Sequence, residues 1–125
     1  MADNSKKGMN PNKLEALKEK YPDLLKEIYD IECEDGWLCL IEGYLRLASA
    51  YSSRTKRGVK IKQIKEKFGR LRVYTNHNDD YIFGIGDIVE LLSEFVCESC
   101  GEKGALRTSR RRVKTLCDSH YILEE

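Results

Sequence analysis

The sequence predicts an α+β fold: a helical N-terminal half, a β-hairpin, one further helix, then a small C-terminal module built on Cys and His. Three observations predict it. Apolar residues recur at spacings of three and four from Trp37 to Ala48, the period of an amphipathic helix. Apolar and basic residues alternate in Val59–Lys62 and again in Leu71–Tyr74, the period of half-buried strands. Cys97-Glu98-Ser99-Cys100 and Cys117-Asp118-Ser119-His120 place paired potential metal ligands at the end of the chain.

Residues 1–9 are polar and read as a disordered tail. Asn10-Pro11 is a helix start, with Asn as N-cap and Pro at the first helical position. Leu14, Leu17 and Tyr21 follow on one face. Pro22 breaks the helix and opens a second short one that carries Leu24, Leu25 and Ile28. Trp37 opens the strong helix, with Leu40, Ile41, Tyr44, Leu45 and Ala48 on its apolar face; it frays at Ser52-Ser53. Val59 and Ile61, then Leu71 to Tyr74, form a hairpin that turns at Phe68-Gly69. Asn76 to Asp80 reads as a loop, and Asp87 with Glu90 as the capping box of the next helix. Ile88, Val89, Leu92, Phe95 and Val96 form that helix's apolar face. It runs into Cys97 without a linker, so the body (10–96) and the C-terminal module (97–125) should pack rigidly.

The ligand pairs follow the pattern C-x2-C, sixteen residues, C-x2-H. Zinc takes four N or S ligands in a tetrahedron, and two ligands separated by two residues reach one ion from a tight turn. Cys97, Cys100, Cys117 and His120 are therefore the expected ligands of one structural zinc ion per chain. Four cysteine thiolates are the usual set of an iron–sulfur cluster, which makes that reading the weaker one. Gly101 suits a knuckle turn. Ala105–Thr108 and Arg112–Leu116 read as two short strands, and Asp118-Ser119 as the first turn of a helix bearing His120. Knuckle, hairpin and ligand-bearing helix resemble a treble-clef zinc module. With its shell closed by protein, such an ion has no open position for a reactive water. Cys33 and Cys39 lack third and fourth ligands and read as ordinary buried thiols.

Net charge is +1, yet charge is laid out in blocks. Residues 54–72 hold nine basic residues against one Glu, and residues 79–102 hold seven acids with no Lys or Arg. Such blocks are solvated faces or patches that steer a macromolecular partner. Five Cys and a polar N-terminus without an apolar leader point to a reducing cytoplasm. No apolar run has the length of a membrane span.

Three stretches together resemble a family of small phage and prophage proteins. They are Asp35-Gly36-Trp37, the run Ile64 to Arg72, and Cys97-x-x-Cys100-Gly101-x-x-Gly104-x-Leu106-Arg107 with Lys114-Thr115-Leu116-Cys117-Asp118-x-His120. The likeness covers roughly residues 21–120. It implies the zinc site. Zinc-containing proteins of this kind include phage anti-CRISPR proteins that inhibit type II Cas9 nucleases, and the chain looks like such an inhibitor.

The expected function is therefore inhibition of Cas9 by direct protein binding, with Asp79, Asp80, Glu90 and Glu94 as an acidic docking face. The alternative is a nucleic-acid-binding module using the basic hairpin 107–114, through Arg107, Arg110, Arg111, Arg112 and Lys114. That tip has no aromatic residue on which a base would stack. An enzyme is not expected. With His120 committed to metal only His77 remains, and His in an Asn/Asp loop reads as a turn residue.

Overall fold

The computed structural model describes residues 8–77, 79–109 and 111–123. The fold is α+β. In order come α1 (Pro11–Lys20), a 3₁₀ turn (Asp35–Trp37), α2 (Leu38–Thr55), β1 (Ile61–Lys67), β2 (Arg70–Thr75), α3 (Asp80–Ser93), β3 (Ala105–Arg107), β4 (Lys114–Leu116) and α4 (Asp118–Leu123). Among the described residues no helix is long and apolar enough to cross a membrane.

Asn10 caps α1, its side chain accepting from the Asn12 N–H at 2.8 Å, with Pro11 at the first helical position. The body begins one residue earlier than expected. Met9 is buried, its N–H donating to the Ile31 carbonyl, so it belongs to the core and not to a tail. Residues 1–7, the rest of the expected tail, lie outside the described residues.

The expected second short helix is instead a run of turns over residues 22–27. Leu24, Leu25 and Ile28 are buried all the same. The Leu24 carbonyl accepts from the Ile61 N–H at 2.9 Å, a bond to the hairpin that a continuing helix would compete for. The Glu32 backbone bonds β1 on both sides, donating to the Ile64 carbonyl and accepting from the Glu66 N–H. This tethers the connector to the sheet.

Trp37, Ile41, Tyr44, Leu45 and Ala48 of α2's start and inner face are buried as their spacing requires. The helix does not fray at Ser52-Ser53. It runs to Thr55, whose hydroxyl donates back to the Tyr51 carbonyl, and it ends on Lys56 at φ 63°. Cys33 is fully buried, whereas Cys39, on the outer face of α2, is exposed and does not pack as a small hydrophobe.

β1 and β2 are antiparallel, with a bulge between Ile61 and Gln63. Ile61 and Ile64 would face opposite sides of a regular strand. The bulge turns both inward, and both are fully buried with Leu71. The two-residue turn sets Phe68 at φ 52° and Gly69 at φ 82°, the type I′ combination that matches the twist of the strands. Phe68 is 66 % exposed, so no packing offsets its left-handed backbone. Phe68→Asn should therefore raise stability by about 1 kcal/mol, read from chemical denaturation. An unchanged or lower midpoint would show that the ring itself contributes to folding.

α3 begins at Asp80, not at Asp87. Asp79 is its N-cap and accepts from the Ile82 N–H at 3.0 Å. Asp87 is mid-helix, so the capping box does not form. Gly84 and Gly86 are weak helix formers in its second turn, and Gly86 lies against the Tyr44 ring, where a Cβ would sit 3.9 Å from Cε2. The apolar face also differs from expectation. Ile82, Val89 and Ser93 face the core, while Ile88, Leu91, Leu92 and Phe95 stand in solvent. α2 and α3 pack antiparallel: Tyr51 stacks on Tyr81 at one end, and Trp37 Nε1 donates to the Val96 carbonyl at the other.

Candidate metal centre

A two-stranded hairpin, β3–β4, carries the centre between its flanks. Before it, the chain turns through Cys97–Cys100 and closes on Gly101, whose N–H donates to the Cys97 carbonyl at 2.9 Å. Gly101 has φ 84°, a conformation that a side chain would strain. The Cys97 N–H donates to the Glu102 carbonyl at 2.7 Å, which folds the knuckle back on itself. After the hairpin, Cys117 precedes α4, and His120 sits in its first turn.

These two turns bring the four candidate ligand atoms within 4.8 Å of one another. Cys117 Sγ lies 3.2 Å from His120 Nδ1, and Cys97 Sγ 3.8 Å from the same nitrogen. Cys100 Sγ lies 3.7 Å from Cys117 Sγ. A tetrahedron with metal–sulfur bonds near 2.3 Å has edges of about 3.8 Å between sulfurs. The cluster thus has the size that a four-coordinate ion requires, and Nδ1 is the ring nitrogen turned toward the sulfurs. The His120 N–H points at Cys117 Sγ, 3.4 Å away. That backbone donor, helped by the His120 ring, holds the Cys117 thiol down to about 6. A thiolate is the form in which cysteine binds metal.

The module docks on the body through backbone contacts. The Gly36 N–H donates to the Glu98 carbonyl at 2.7 Å, and the Gly104 N–H to the Phe95 carbonyl at 2.8 Å; within the module the Glu98 N–H donates to the Thr115 carbonyl at 3.0 Å. Thr115 Oγ1 donates to the Gly69 carbonyl at 2.7 Å, tying the tip of the first hairpin to the second. Beneath the knuckle lies a buried charged group. Glu98 is 2 % exposed; its Oε2 accepts from the Glu34 N–H at 3.1 Å. Lys114 Nζ stands 3.3 Å from Glu34 Oε2 and 4.0 Å from Glu98 Oε1. Burial pushes the Glu98 carboxyl up to about 7, against the pull of Lys114 and the Glu34 N–H. Sequence reasoning missed this network. Glu34 and Lys114 are eighty residues apart, and Glu98 reads as a mere spacer between two cysteines.

The basic hairpin is partly committed inside the fold. Arg107 donates from Nε to the Leu116 carbonyl and from Nη2 to Asp118, and covers the Tyr121 ring at 4.6 Å. Lys114 is buried, while Arg111 and Arg112 are exposed. Arg110 lies outside the described residues. The acidic set is committed too. Asp79 caps α3 and accepts from Tyr51 and Arg57. Glu90 pairs with Arg72 at 3.2 Å, and Glu94 with Arg70. Asp80 is exposed. His77 Nδ1 lies 3.9 Å from Asp79 Oδ2, beside the N-terminus of α3.

Only Cys39 among the thiols outside the cluster is open to reagent. Alkylation of metal-loaded protein should label Cys39 fast and Cys33 only on unfolding, read by peptide mass spectrometry. The double variant Cys33→Ser/Cys39→Ser should keep its full metal content. A fall to half by elemental analysis would reveal a second site.

Together these features define a small α+β protein whose C-terminal hairpin module can hold one metal ion on three cysteines and a histidine. No family model, curated protein or solved structure matches the chain.

Proposed function

We propose that the chain is a zinc-stabilised, phage-type protein that inhibits a type II CRISPR nuclease, Cas9, in the cytoplasm of a bacterial host. It binds the nuclease directly and blocks DNA loading or cleavage, cutting nothing itself. Zinc is the ion that best suits three thiolates and an imidazole at tetrahedral spacing, and four protein ligands give it a structural role. The resemblance to small phage proteins supplies the target.

The observation that carries protein binding is a cleft of about 290 Å³ between β2 and α3. Arg72, Tyr74, His77, Phe83, Asp87 and Glu90 line it. Aromatic side chains beside charged ones, in a recess open to a partner, suit an interface anchor. Phe83 and Asp87 replace Glu90 and Glu94 as the residues to test, because Arg72 and Arg70 already hold the latter two. Asp87, with Asp80, gives the edge of α3 a negative character fitted to the positive channel in which Cas9 holds its guide–target duplex. The nucleic-acid alternative has Arg107 and Lys114 already engaged in internal contacts.

The test is a cleavage assay with guide-loaded Cas9, paired with a direct binding measurement. Phe83→Ala and Asp87→Lys should each weaken binding about tenfold, and binding should fall as salt rises. Arg111→Glu/Arg112→Glu should bind as the parent does. Tight DNA binding by the free chain at physiological salt, with no effect on any nuclease, would favour the nucleic-acid reading instead.

A further inference from the structure

We propose that the outer face of α2 and α3 pairs with a second copy of this chain, about a two-fold axis parallel to the helices that lays α2 of each copy on α3 of the other. This face lies apart from the cleft between β2 and α3.

Leu47 on α2 and Ile88, Leu91, Leu92 and Phe95 around α3 and its C-terminal end are 43–57 % exposed. Five half-exposed apolar side chains offer roughly 100 Å² each, so two copies face to face cover on the order of 1,000 Å². That reaches the lower bound for a specific interface.

The face is also shaped to receive itself. A side chain at Gly43 or Gly84 would meet nothing within 4 Å, so each glycine leaves a hollow on its helix. Tyr51 is level with Tyr81, and Trp37 with Val96, which places Leu47 level with Gly84 and Gly43 level with the turn between Ile88 and Leu91. An axis parallel to the helices preserves these levels. Leu47 of one copy then enters the hollow at Gly84 of the other, and Ile88 and Leu91 flank the hollow at Gly43.

Charge agrees with this axis. Glu90 and Glu94 are paired with Arg72 and Arg70 on the β2 side of α3, while Asp80 at the start of the helix is exposed. The solvent side of α2 carries Arg46 and Arg54, both exposed. Laying α2 on α3 sets Arg54 level with Asp80 of the second copy.

Sedimentation equilibrium of metal-loaded full chain tests this. The expected mass is twice 14.5 kDa at high concentration, on the order of 100 µM. Gly43→Trp fills a hollow that is open in the monomer, and Leu91→Glu buries a charge in the interface. Each should raise the dissociation constant at least about tenfold with metal content and circular dichroism unchanged. Phe83→Ala, in the cleft, should dimerise normally. A monomer at every concentration, or a dimer that survives Gly43→Trp, overturns the proposal. Should Leu91→Glu fail to fold, Gly43→Trp decides alone. A monomer that still inhibits the nuclease would end this inference and leave the proposed function standing; a dimer without effect on the nuclease would do the reverse.

Discussion

Cys97→Ala or Cys117→Ala should empty the metal site and unfold the chain from residue 97 onward, the largest effect expected of any substitution here. The regular elements within the segment are short. β3 and β4 are three residues each, and α4 is six. A structural zinc site contributes about 10–16 kcal/mol of apparent binding free energy at neutral pH, and in a small module that energy is folding energy. Elemental analysis should find one zinc per parent chain and none in either variant. Hydrogen exchange should report lost protection at Gly101 and Tyr121, whose N–H groups are bonded within the module, and at Gly104, whose N–H donates to the Phe95 carbonyl. Folded parent protein without metal would refute the site. Acid should act in the same direction. The Cys117 thiol is held low, so its ionised form supports the fold above the ordinary thiol range and loses that effect as pH falls through about 6. Metal release on acidification, as protons compete with the ion for the thiolates, is followed with a chromogenic chelator.

Gly36→Ala should be nearly as damaging, although the residue binds nothing. A Cβ there would stand 2.1 Å from the Cys97 carbonyl oxygen and 2.4 Å from that of Glu98. Both are backbone atoms of the knuckle, so no side chain can swing aside. The 3₁₀ turn and the metal module must part, giving up the Gly36 N–H bond to Glu98 and the Trp37 bond to Val96. Overpacking of this kind costs about 3 kcal/mol or more when the obstacle is rigid. The thermal midpoint should drop, and zinc affinity, measured by chelator competition, should drop with it. Gly43→Ala is the control. It meets open space in a helix interior and should stabilise by about 0.5–1 kcal/mol. Equal stability of Gly36→Ala and the parent would mean that body and module do not touch as described.

What was legible in the sequence is what local chemistry decides. The four candidate ligands stand out because each pair is made by one turn. α2 stands out because its apolar residues keep the helical period, and the hairpin because its strands alternate around Phe68-Gly69. Legibility fails where the deciding partner is distant. The start of α3 carries glycines at 84 and 86, weak helix formers, and Tyr44 lies beneath Gly86. α3 is apolar around much of its circumference, and periodicity alone does not say which apolar residues the core takes. Arg70, Arg72 and Lys114 meet acids that no spacing rule connects to them.

The contact between Glu34 and Lys114 also has a meaning in time. The ribosome makes about 5–20 residues per second, so a gap of eighty residues leaves Glu34 waiting on the order of several seconds for its partner. During that interval Gly36 has no Glu98 to bond and Trp37 no Val96 to cap it. The N-terminal half is thus made early but completed late, once the knuckle has left the exit tunnel. Nascent chains halted before Cys97 should remain open to protease at α2, and supplying zinc to them should change nothing. Chains extended past His120 and clear of the tunnel should become resistant only when zinc is present.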